Sequence, residues 1–268
     1  MTEQAASRLT PVVPNNIARS EPLRWLRAGW SDFLRAPLIG LFFGACYMMM
    51  GLILYRVMQY SSAWVLILSA GFLLLGPFLA MGLYSVSRSL EQGERPELGR
   101  AMTAWDRNAG ALVPYLMVLL VLEMLWSRSA MIVFALSFDM LPAQSNPLGL
   151  LLDPANLQFT ITYVLVGAVF ASIIFLTSVV SIPLIMDRDI DGITAGLTSI
   201  RACLNNPGTL FFWGAMVTVL IVSAMLPYFA GLLIVAPVIG HATWHAYRAC
   251  VLWPNADPDQ AAGTQAVA

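Results

Sequence analysis

The sequence predicts an all-α fold, a polytopic membrane helix bundle of about six transmembrane helices, arranged as three hairpins with cytoplasmic amphipathic helices. Three observations predict it. Apolar residues make up 59% of the chain and charged residues only 11%, against about 50% and 25% in a soluble domain. Six apolar stretches approach the roughly 20 residues a helix needs to cross a bilayer core. The arginines, which supply every basic residue of the chain, gather on one side of those stretches.

The first stretch runs from about Leu38 to Met58 and the second from about Ala63 to Val86. The third begins at Ala111 and is clear to Trp126, with Ser129 to Phe138 open as an extension. The fourth runs from Phe159 to Met186, the fifth from Thr209 to Leu226, and the sixth from near Phe229 to near Cys250. Backbone polar groups in lipid must be satisfied within the segment, which makes these stretches helices. The run Gly71–Phe72–Leu73–Leu74–Leu75 does not alternate as a barrel strand would.

Orientation follows from arginine placement. Arg8, Arg19, Arg24, Arg27 and Arg35 precede the first stretch, and Arg88, Arg95, Arg100 and Arg107 lie between the second and third. Arg188 and Arg201 lie between the fourth and fifth, and Arg248 at the end of the sixth. The other side has Arg56, while the loop from Asp139 to Gln158 has none. Both termini are therefore expected in the cytoplasm. Residues 1–20 and 254–268 are expected to be disordered, flanking a membrane domain over 21–253. The apolar core of a cleavable signal would lie nearer the start than Leu38, so the first span is expected to be retained.

The cytoplasmic segments carry their own pattern. Leu23, Leu26, Trp30 and Phe33 recur at helical spacing, as do Leu98, Met102 and Trp105, and Ile193, Leu197, Ile200 and Leu204. Asp191 is placed to cap the last of these and Asn206–Pro207–Gly208 to stop it. Each reads as an amphipathic helix at the membrane surface, or as a cytoplasmic helix packed on other loops. Each leads into an odd-numbered span. Each even-numbered span carries a proline, at Pro77, Pro183 and Pro237. The unit of amphipathic helix, span, and span with proline recurs three times.

Candidate chemistry is sparse. His241 and His245, the two histidines of the chain, are four residues apart on one helical face. A same-face pair suits a metal, a haem or a proton relay; the alternative is an interfacial anchor made with Trp244, Tyr247 and Arg248. Asp187 and Asp189 end the fourth span at the same level and could join the histidines. Glu123 and Arg128 are candidate intramembrane charges, about 140° apart around their helix and so poorly placed for each other. Cys46, Cys203 and Cys250 form no metal-binding pattern. There is no Gly-x-Ser-x-Gly elbow, no P-loop and no His-Glu-x-x-His helix. Gly29, Gly40, Gly44 and Gly51, and likewise Gly71 and Gly76, read as helix-packing positions.

Several runs together resemble a known family. They are Pro22–Leu–Arg–Trp–Leu–Arg–Ala–Gly–Trp30, Asp32–Phe–Leu–Arg–Ala–Pro37, Gly71–Phe–Leu–Leu–Leu–Gly–Pro–Phe–Leu79, Asp187–Arg–Asp189 and Gly240–His–Ala–Thr–Trp–His–Ala–Tyr–Arg248. The chain resembles, from about Pro14 to Val251, the bacterial integral membrane proteins grouped as domain of unknown function 2189. The resemblance implies an inner-membrane location and no established activity. Some relatives carry the label of a cytochrome c oxidase subunit I-like protein, but a haem–copper core needs more histidine ligands than the two present here.

The leading expectation is a non-enzymatic scaffold, accessory or assembly protein of the inner membrane, without a cofactor. It would act through lipid and through a membrane protein partner or a second copy of itself. The alternatives are a small transporter with a cavity lined by kinked even-numbered helices, and a haem- or metal-binding accessory subunit of a respiratory complex using His241 and His245.

Overall fold

The computed structural model describes residues 11–14, 16–58, 62–138, 151, 153–188 and 190–253. Among these the chain is helical, apart from short connections and one isolated bridge between Val12 and Leu252. The helices are α1 (Glu21–Arg35), α2 (Pro37–Met58), α3 (Ser62–Glu91), α4 (Leu98–Met102) and α5 (Ala109–Ser137). They continue with α6 (Leu157–Ser178), α7 (Ser181–Arg188), α8 (Gly192–Asn205), α9 (Pro207–Met225) and α10 (Leu232–Cys250). Four helical stretches are long and apolar enough to cross a membrane: Pro37–Val57, Leu98–Ser137, Pro154–Arg188 and Pro207–Met225. Helix α5 runs on through Ser129 to Ser137, so that open stretch extends the third expected span.

The second and sixth expected spans fall on α3 and α10, and α10 is not among those four. Both turn polar in their last turns, with Ser85, Ser87, Arg88 and Ser89 on α3 and His241, His245 and Arg248 on α10. The surroundings explain how α10 tolerates this. It packs against α1, α2, α3, α7 and α9, so protein rather than lipid meets much of its surface. Its Ala236, Val238, His241, Trp244, Tyr247 and Cys250 are all buried. In sequence order α2 packs on α3, α5 on α6 and α9 on α10.

The prolines act differently in the three expected positions. Pro77 and Pro237 stay inside continuous helices. The helix of the fourth stretch is broken at Val179–Val180, just ahead of Pro183, which has no N–H to bond the Val179 carbonyl one turn back. The piece beyond the break, α7, is buried from Ser181 to Met186.

Close helix approach depends on glycine where the first motif meets α10. A Cβ at Gly29 would lie 2.6 Å from the Ala242 nitrogen and 2.6 Å from the Val238 oxygen. A Cβ at Gly44 would overlap the Leu233 carbonyl, whose i+4 partner is Pro237 and has no N–H to offer. Gly40 and Gly51 pack as closely, on Phe33 and Phe229, whereas a Cβ at Gly71 or Gly76 would meet nothing within 4 Å among the described residues, although the Gly76 carbonyl accepts from the Tyr47 hydroxyl of α2 at 2.9 Å.

Of the segment expected to be disordered ahead of α1, the described residues are tied down. Asn206 accepts from the Ile17 backbone N–H at 2.8 Å and donates to the Pro14 carbonyl at 2.9 Å. Thr209 donates to the Ile17 carbonyl at 2.7 Å. Residues 1–10 and the tail 254–268 lie outside the described residues.

Candidate functional site

The three amphipathic stripes form helices, and their large apolar residues point outward. On α1 the buried residues are Pro22, Trp25, Gly29, Asp32 and Phe33, while Leu23 (55% exposed), Trp30 and Leu34 are exposed. Of the expected face, Phe33 turns inward and Leu26 is half-buried. Helix α8 buries Ala195, Gly196, Thr198, Ser199, Ala202 and Cys203 and exposes Ile193, Leu197 and Leu204 (68%). Around α4, Ala101 is buried and Leu98, Met102 and Trp105 are exposed. A soluble helix does the reverse, turning its large apolar residues to the core. Asp191 caps α8 as expected, accepting from the Ile193 and Thr194 backbone N–H groups at 3.0 and 2.9 Å. A hydrogen bond from the Thr194 side chain, and then these backbone bonds, hold its carboxyl below the usual range.

Behind these helices, the second half of α10 collects polar bonds from three directions. His245 Nε2 lies 2.8 Å from Asp32 Oδ2 on α1. His241 Nδ1 lies 2.8 Å from Ser87 Oγ on α3. Trp244 donates to Glu91 at 3.0 Å, and Arg248 pairs with the same carboxylate at 3.0 Å. Tyr247 donates to Asp187 on α7 at 2.7 Å, and Asp187 also meets Arg188 at 3.2 Å and Arg88 at 3.6 Å. Asn108, ahead of α5, donates to the Ile185 carbonyl at 3.0 Å. Burial of Asp32 pushes its carboxyl up, but the hydrogen bonds from His245 and Ser87 and the nearby imidazoles outweigh this and leave it below its ordinary value.

The expected site residues are thus distributed. His241 and His245 share the face but answer to different helices, and Asp187 is committed to Tyr247 and two arginines. Asp189 lies outside the described residues. Among the described residues no three of His, Cys, Asp and Glu converge as a metal site would require. Glu123 is half-buried on α5 and Arg128, on the same helix, is exposed.

Asp32 and Ser87 were missed by the reading of motifs. The signal that could have found Asp32 was its place on α1, between the apolar Trp25 and Phe33, where a charge needs a partner. Serine, histidine and aspartate meet here without forming a nucleophilic relay. Ser87 is on His241 and Asp32 is on His245, so no single imidazole joins hydroxyl to carboxylate. His241 is fully buried, and its Nε2 has no hydrogen-bond partner among the described residues.

No curated protein and no solved structure matches the chain. A family match over part of the chain takes in the run from Gly71 to Leu79 and Asp187, while the runs from Pro22 to Pro37 and from Gly240 to Arg248 lie outside it. Over residues 65–187 the chain matches the family described as predicted integral membrane protein, domain of unknown function 2189.

Proposed function

We propose that this protein is a non-enzymatic scaffold, accessory or assembly protein of the bacterial inner membrane. It has six spans in three hairpins, both termini are cytoplasmic, and each hairpin is introduced by an amphipathic helix lying in the cytoplasmic leaflet. The observation that carries the reading is an outward row of large apolar residues on each of these helices: Leu23, Trp30 and Leu34 on α1, which also turns Trp25 and Phe33 inward, Leu98 and Met102 on α4, and Ile193, Leu197 and Leu204 on α8. Such a face is stable where lipid rather than water meets it. Arg24, Arg27 and Arg35 on α1, Arg100 on α4 and Arg201 on α8 are all exposed and suit an anionic leaflet surface. A second support is the commitment of the polar residues at this end to joining helices.

The test is purification of the tagged full-length chain in a mild detergent, with quantitative analysis of what accompanies it. A stoichiometric membrane protein partner, or a defined homo-oligomer, is the expected result. A lone monomer with a tightly bound small molecule would overturn the reading. Topology is checked separately by labelling cysteines introduced at Leu98 and Leu197. Both should be reached by lipid-soluble reagents and shielded from water-soluble ones.

A further inference from the structure

Beside α4 the structure has a pocket of about 460 Å³, walled by the last turns of α3 on one side and by α4 and the turn Asp106–Asn108 on the other. Its volume lies in the range of small-ligand sites, about 300–1,000 Å³. Three guanidinium groups line it, from Arg88, Arg100 and Arg107. Their counter-charges are weak. Glu94 pairs with Arg100 at 3.0 Å, but both side chains are more than half exposed, and such pairs hold little. Arg88 shares Asp187 with Arg188 and Tyr247. Asp106 also lines the pocket, yet Arg107 forms no ion pair among the described residues. Ser85 and Ser89 add hydroxyls with no protein hydrogen bond among the described residues. Guanidinium forks and hydroxyl donors around a net positive cavity match the oxygens of a phosphate.

The depth of the pocket selects the source of that phosphate. Trp105, next to the pocket wall, packs edge-to-face on Phe78 of α3 with ring centroids 5.4 Å apart. Leu98 and Met102 on the same wall point outward. An aromatic side chain at the edge of an apolar run marks headgroup level. We propose that this pocket is a binding site for the phosphate of an anionic phospholipid, held by Arg88, Arg100 and Arg107. The site rests on the reading of α4 as a membrane-surface helix.

The experiment is thermal unfolding of the full-length protein in micelles, with phosphatidylglycerol, phosphatidylcholine or inorganic phosphate added. Phosphatidylglycerol should raise Tm by about 4 °C or more, as expected of a saturating ligand, and the other two should not. The R100Q/R107Q double variant should keep the lipid-free Tm and lose the shift. Native mass spectrometry of the unaltered protein supplies a second measurement, with one phosphatidylglycerol retained per chain. No shift, or an equal shift in the double variant, overturns the site. An equal shift from inorganic phosphate overturns the lipid assignment in favour of a soluble phosphate. Failure of the membrane-surface reading would appear elsewhere, as aqueous labelling of the cysteine at Leu98.

Discussion

At one end of the bundle α10 is bonded through His241, Trp244, His245, Tyr247 and Arg248 to side chains of α1, α3 and α7. Toward the other end of α5, α6 and α9 the side chains are apolar and face outward, with Met131, Val164, Val219 and Leu226 all exposed. Aromatic contacts join neighbouring segments at that end, as where Tyr55 of α2 meets Tyr228 and Phe229, ahead of α10, at 6.0 and 6.2 Å. The difference teaches where specificity sits. Lipid tails are as apolar as leucine, so apolar faces alone do not choose their neighbours, whereas close backbone approach and interhelical hydrogen bonds do.

The largest effect should come from forcing the helices apart where backbones touch. Gly29→Val and Gly44→Val each place atoms into the α10 backbone. They should cost roughly 3 kcal/mol or more by overpacking, read as loss of the folded fraction on gel filtration. Equivalent substitution at Gly76, where a Cβ would meet nothing within 4 Å among the described residues, should leave that fraction unchanged and so sharpens the contrast.

Next comes Asp32→Ala. It leaves His245 without its partner across the α1–α10 contact and should lower stability by about 1–3 kcal/mol, measured as a drop in Tm in micelles. The same carboxylate sets a pH dependence. Its folded pKa is depressed, so the stability it supplies is present above the unfolded value of about 4 and lost as pH falls through the folded value. Unfolding midpoints between pH 6 and pH 3 should fall more steeply for the native chain than for Asp32→Asn.

Tyr247→Phe removes one hydrogen bond to Asp187, which keeps Arg88 and Arg188. The expected loss is about 1 kcal/mol. Val219→Ala, on the exposed face of α9, should change the midpoint by less than about 0.5 kcal/mol. An equal response to Val219→Ala and Asp32→Ala would break the contrast between the two ends.

Much of the helical pattern is local and was legible for that reason. The apolar runs, the stripes of α1 and α8, the Asp191 cap and the stop at Asn206 are each set within a few turns of chain. Which way a stripe faces is not local. Leu197 and Leu204 look the same in sequence whether they meet protein or lipid, and Phe33 left its stripe because Gly40 opens a place for it. The proline in the fourth stretch broke its helix while Pro77 and Pro237 did not, a difference that depends on neighbours and not on the residue.

By itself the sequence determined an all-helical membrane protein, with apolar stretches, three amphipathic helices and polar residues concentrated near His241 and Asp187. Tertiary structure alone decided that α10 would be wrapped in protein, that Gly29 would let α1 reach it, and that Asp32 would meet His245 across 213 residues of chain. Helical periodicity is fixed by hydrogen bonds four residues apart. A partner so distant in the chain is fixed only when packed backbones bring two buried polar groups within bonding reach.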